Sequence, residues 1–171
     1  MNLVVVGIGD CRISGDPADV LVTYALGSCV CITIYDAIAK VGGLLHILLP
    51  ESAVDPIKAR QQPFMFADTG IPLLFHGAYA LGARKDRLVT RIAGGSQMNA
   101  MCSFLDVGLK NVEATRLTLR RNGVKVVSEA VGGKSARTVR LDIATGEMFL
   151  QETHSDPRKI AHVPTGVSRV R

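Results

Sequence analysis

The chain has 171 residues, a net charge of +5, 47% hydrophobic, 20% charged and 5% aromatic residues, and no tryptophan. That composition excludes a disordered chain and suits one domain with a core of Val, Leu, Ile and Ala. No apolar run reaches the ~18 residues of a spanning helix, the cysteines (Cys11, Cys29, Cys31, Cys102) follow no secreted framework, and the basic residues are scattered without aromatic interleaving, so membrane insertion, a disulfide scaffold and nucleic-acid binding are set aside.

The elements read in chain order as follows. Leu3 to Val6 is a short β-branched run, expected as a strand. Gly7-Ile8-Gly9 follows it, but Arg12 stands where a dinucleotide fingerprint needs its third glycine, and no amphipathic helix comes after. The MNLVVV start lacks the basic flank and length of a signal peptide, so the expectation is a cytoplasmic protein with reduced thiols. Gly15-Asp16-Pro17 marks a loop. Cys29 to Tyr35 and Val41 to Leu49 read as strands joined through Asp36 to Lys40, with Pro50 ending the second. Asp55-Pro56 is a helix start. Asp68 is a second candidate cap, before a helix over 69–81 whose Ile71, Leu74, Phe75 and Ala78 share one face, and Gly82 stops it.

Leu88 to Ala93 is the next strand, broken by Gly94-Gly95-Ser96. A helix is expected over Leu109 to Arg121, closed by Asn122-Gly123, then a strand over Val124 to Ser128 and a turn at Gly132-Gly133. Thr138 to Ile143 and Glu147 to Gln151 form a hairpin around Ala144-Thr145-Gly146. Residues 1–155 make the domain, and 156–171 form a loose basic tail. Hairpin strands with separate helices predict an α+β, single-domain layered sandwich with mixed or antiparallel sheets rather than a doubly wound one.

Two ionisable groups sit inside the apolar strands. A four-residue loop over Asp36 to Ala39 would set Tyr35 against Lys40 and Cys29 against His46, with Cβ atoms about 4.5–5.5 Å apart. A thiol beside an imidazole can give up its proton and become a nucleophile. A third group usually fixes the ring tautomer, and Thr23 is the candidate. Gly27 and Ser28 form a tight turn before Cys29 whose backbone could face an oxyanion. Buried cysteines are more often packing residues, and that reading is open for Cys29 and preferred for Cys11, Cys31 and Cys102. A zinc site of Cys29, Cys31, His46 and His76 is the weaker alternative, since the Cys-x-Cys spacing is unusual for zinc.

At these residues the sequence resembles the CheD family of chemoreceptor glutamine deamidases. LGSCV at Leu26 to Val30, Thr23 before it and GGLLHILLP at Gly42 to Pro50 carry the resemblance. ADTGIPLLF (67–75), AGGSQM (93–98), VGLKNVEA (107–114) and VGGKSARTVRLDIATGE (131–147) extend it, with Ser96, Lys110 and Ala136 departing from the family's usual residues. The resemblance implies catalytic roles for Cys29, His46 and Thr23 and a fold like the catalytic domain of a deamidating toxin. It also implies hydrolysis of receptor glutamines through a thioester, weak methylesterase activity, no cofactor, and chemoreceptors as partners. The alternative is a regulatory module that docks on a CheC-type chemotaxis phosphatase.

Overall fold

The computed structural model describes residues 1–97, 106–153 and 157–160. Two five-stranded sheets and one layer of helices account for them. The first sheet has the order β1 (Asn2–Val5), β3 (Asp19–Leu26), β8 (Arg137–Asp142), β9 (Met148–Glu152), β10 (Arg158–Ile160), with β1 parallel to β3 and the other pairs antiparallel. The second has the order β2 (Asp10–Ser14), β5 (Val41–Ile47), β4 (Val30–Asp36), β6 (Val89–Gly94), β7 (Val126–Val131), antiparallel except for β6 with β7. The mixed α+β expectation therefore holds.

Every residue of β4 and β5 is buried because both faces of the second sheet are covered. On β4, Val30, Ile32 and Ile34 join the core beneath the helices, with Leu45 and Ile47 from β5. Cys31 and Leu44 point the other way, into a second core shared with Leu21, Val139, Leu141 and Leu150 of the first sheet. Period-two alternation thus sorts one apolar run into two cores. This layering puts His46, on the face of Leu44, between the sheets. No helix among the described residues is long and apolar enough to cross a membrane.

The helices start largely where the sequence says. Asp55 caps α1 (Pro56–Gln61) by accepting from the Lys58 amide, with proline at the first position. Asp106 caps α3 (Val107–Arg121) in the same way, accepting from Leu109. The 67–80 helix differs. It begins two residues earlier than a cap at Asp68 allows: α2 is Ala67–Ala80 with Phe66 at the cap and no side-chain bond there. Asp68 lies inside the first turn and instead accepts from both the amide and the hydroxyl of Ser52. Gly82, at φ +93°, ends the helix as expected.

The β4–β5 hairpin corrects the sequence register. Tyr35 faces Gly42, not Lys40, and His46 faces Cys31, not Cys29. The loop is four residues long, but it is Ala37 to Lys40. Asp36 belongs to the strand, pairs with Val41, and accepts from the amides of Ile38 and Ala39. Lys40 closes the turn at φ +55°. Moving the loop by one residue moves every opposed pair by two, so Cys29 keeps the face of His46 and takes the diagonal position. The tail contributes β10 at its start, so Arg158–Ile160 is not loose; 154–156 and 161–171 lie outside the described residues, as do Cys102 and Met98.

Candidate active site

Strand β3 carries Thr23 on the inner face of the first sheet, and a bulge then turns the chain towards the second. Thr23 pairs with Val139 but Leu26 pairs with Arg137, one extra residue on β3. Ala25 takes up the strain at φ +54°, a left-handed conformation a non-glycine residue seldom adopts. Bulges of this kind re-aim a strand next to a site. The chain crosses between the sheets as Gly27-Ser28-Cys29 and enters β4.

All three carbonyls of that crossing are held. Gly27 O accepts from the Ser96 amide at 2.8 Å, and Cys29 O from the Gly95 amide at 2.7 Å. Ser28 O accepts from Asn111 Nδ2 at 2.9 Å. The peptides are trans, so a carbonyl fixed on one side turns the following N–H to the other. The amides of Ser28 and Cys29 donate to no backbone carbonyl among the described residues.

His46 is 1% exposed. Its Nδ1 lies 2.8 Å from Thr23 Oγ1. The Thr23 hydroxyl has one proton and donates it to Val6 O, also at 2.8 Å, so at Nδ1 it accepts. That assigns the ring proton to Nδ1 and leaves Nε2 with a bare lone pair. Nε2 is buried and has no hydrogen-bond partner among the described residues. Burial lowers the His46 pKa from 6.5 to about 4, so the ring is a neutral base.

Cys29 is 7% exposed and packs in the inter-sheet core with Cys31. Burial pushes its thiol up from 9.0, with its own backbone amide opposing that. The resting pair is therefore a neutral thiol and a neutral imidazole, not the ion pair that a close Cys–His contact would give. Cys31 opposes His46 directly, but it is wholly buried, and burial drives its thiol far higher still. A reagent reaches Cys29, at the mouth of the strand, before it could reach Cys31. His76, read as a weak metal candidate, lies on the exposed side of α2 and is not brought to His46.

Three supporting residues carry no signal in spacing or periodicity. Asn111, on α3, holds Ser28. Arg137, 7% exposed, donates to Ser96 Oγ at 2.8 Å and to Gly94 O at 3.3 Å, and pairs with Glu152. Ser96 Oγ in turn donates to Ser135 O at 2.7 Å, so the hydroxyl that departs from the family's usual alanine links two turns at this end of the sandwich. An open groove of about 360 Å³ between Tyr24, Ala25, Arg137 and Glu152 borders the bulge.

A family model described as CheD chemotactic sensory transduction matches residues 48–152. A Solibacter usitatus protein named "Probable chemoreceptor glutamine deamidase CheD" is 43% identical over 96% of this chain and 97% of its own length. An Anaeromyxobacter dehalogenans protein, named likewise as CheD 2, is 48% identical over 88% and 95%, and one from Pyrococcus horikoshii is 44% identical over 89% and 93%. A crystal structure of a Neisseria meningitidis protein aligns over 85% of this chain and 73% of that one at 12% identity and a TM-score of 0.43, too slight a likeness to carry an argument. The chain belongs to the CheD family.

Proposed function

We propose that this protein hydrolyses the side-chain amide of glutamines in methyl-accepting chemotaxis receptors, giving glutamate and ammonia, with Cys29 as nucleophile, His46 as base and Thr23 as its orienter. The observation that carries the reading is the order of hydrogen bonds from His46 Nδ1 to Thr23 Oγ1 to Val6 O, which leaves Nε2 without a partner among the described residues, on the strand face that Cys29 shares. The substrate class comes from the names of the full-length relatives.

The steps follow from the two neutral groups. Nε2 takes the Sγ proton as Sγ attacks the carboxamide carbon. Charge moves onto the carboxamide oxygen, which the amides of Ser28 and Cys29, donating to no backbone carbonyl among the described residues, receive. Gly27 lends its carbonyl to the Ser96 amide and is the further turn candidate. Nε2–H then protonates the amide nitrogen, the C–N bond breaks, and ammonia leaves a thioester. Water gives a proton to Nε2 and attacks the thioester from the same side. The C–S bond breaks, Sγ recovers the proton, and glutamate departs. A methyl ester would follow the same course with methanol leaving, so the proposal extends to a weak methylesterase activity.

Mass spectrometry of receptor cytoplasmic fragments, incubated with the native protein and with Cys29→Ala, tests this. Glutamine converted to glutamate by the native protein alone is the expected result. No conversion by either protein overturns it. Docking on a CheC-type phosphatase or on receptors would survive Cys29→Ala, so retained binding without conversion would make the protein a docking module.

A further inference from the structure

Asn111 is wholly buried on the inner side of α3. Both hydrogens of its amide are used: Nδ2 donates to Ser28 O at 2.9 Å and to Leu48 O at 2.9 Å. Its Oδ1 is buried with no partner among the described residues. An apolar side chain would fill the space without the bare Oδ1 but would strand two backbone carbonyls, so the amide is there for its donors. The two carbonyls it holds are telling. Ser28 precedes the thiol, and Leu48 lies two residues beyond the imidazole.

The Ser28 carbonyl and the Cys29 N–H belong to one peptide plane, so fixing the first aims the second. The helix that carries Asn111 is itself seated tightly on the adjoining turn. A Cβ on Gly108 would lie 2.8 Å from Gly95 O and 2.9 Å from Ser96 O. Gly95 and Ser96 are the residues whose amides hold the Cys29 and Gly27 carbonyls. One helix face therefore fixes the whole carbonyl side of the crossing.

We propose that Asn111 is a positioning residue for acyl transfer: its forked amide aims the Cys29 N–H at the developing oxyanion and sets the crossing against the His46 strand. The inference rests on the assignment of Cys29 as nucleophile, and it holds for any acyl substrate.

Two electrophiles separate this role from a merely structural one. p-Nitrophenyl acetate acylates Sγ: the S–C bond forms, the Sγ proton goes to Nε2, and p-nitrophenolate leaves after an oxyanion has formed. Iodoacetamide alkylates the same sulfur with loss of iodide and no oxyanion. Rates at Cys29 are read by peptide mapping in the native protein, in Asn111→Ala and in Asn111→Leu, which fills the site if alanine fails to fold. The expected result is acylation slowed about 10- to 100-fold, as for a mis-aimed oxyanion donor, with alkylation within about threefold of native. Acylation and alkylation falling together, or neither falling in a folded variant, overturns the proposal. Receptor deamidation is followed in the same samples. If native protein converts no glutamine while the split between the electrophiles persists, the deamidase reading fails and the role of Asn111 stands.

Discussion

Buried neutral His46 makes stability fall in mild acid. Its pKa is about 4 in the folded protein and 6.5 when exposed, and burial is the cause. Between those values the unfolded chain binds the proton and the native one does not, so the group contributes stability above about pH 6.5 and loses it as pH falls through about 4. The gap of about 2.5 pH units corresponds to about 3 kcal/mol. That is a large part of the ~5–15 kcal/mol that holds a domain together. Urea unfolding at pH 7, 6, 5 and 4 measures it, with His46→Asn as the control. The asparagine amide can donate to Thr23 as Nδ1 does but does not titrate. Native protein should lose about 3 kcal/mol more than the variant between pH 7 and pH 4. Parallel curves would refute the reasoning, because a ring that protonates equally in both states is not the desolvated, Nδ1-protonated base that burial and the Thr23 bond imply.

Other perturbations have equally definite outcomes. Thr23→Val strands the Nδ1–H and the Val6 carbonyl, and should cost about 2–4 kcal/mol in chemical denaturation and lower kcat about 10- to 100-fold, while Thr23→Ser restores both. A Cβ on Gly94, at φ +106°, would lie 2.3 Å from Cys29 O. Gly94→Ala should therefore lower the thermal midpoint and slow acylation of Cys29 by displacing its backbone. Asp36 is buried, which alone would raise its pKa, but the amides of Ile38, Ala39 and Arg84 and the Arg87 guanidinium outweigh that and hold it at about 2. Its stability of about 2 kcal/mol is present above about pH 4 and lost as pH falls through about 2, and Asp36→Asn should flatten that limb of an acid titration. Cys31→Ala should keep deamidation near native and cost about 1–2 kcal/mol for the cavity.

Much of the fold is legible because local chemistry and burial agree. Proline at 56 after a capping aspartate starts an element, and glycine at 82 and Asn122-Gly123 each end one, for reasons internal to a few residues. The missing strands are instructive. β2 reads Asp-Cys-Arg-Ile-Ser and is an edge strand whose polar side chains bond locally, Asp10 accepting from its neighbour's amide and from Arg12. β3 is a long strand whose last residues leave the alternation at the Ala25 bulge. Neither property shows in a window of apolar periodicity. At the site, the three residue types of Thr23, Cys29 and His46 are readable, but not the register that relates them. Asp36 decides that register, because its carboxylate closes the turn from inside the strand. Asn111 and Arg137 are invisible for a different reason: each acts on a backbone carbonyl far away in sequence, and carbonyls leave no trace in residue type.

The Thr23–His46 contact also explains how an apolar sandwich tolerates a polar seam. Thr23 belongs to the first sheet and His46 to the second, so their bond forms only when the sheets close on each other. A strand that slipped by one residue would carry His46 to the helix side, among Val30, Ile32 and Leu74, where Nδ1–H has no threonine to meet. It would also leave Thr23 facing leucines. Both penalties fall on the wrong register and neither on the right one, where only Nε2 stays bare. A buried polar pair seldom adds much net stability, but it discriminates strongly between packings. In this sandwich the bond that selects the histidine tautomer thus also selects the strand register, and correct closure of the two sheets is the same event as assembly of the base.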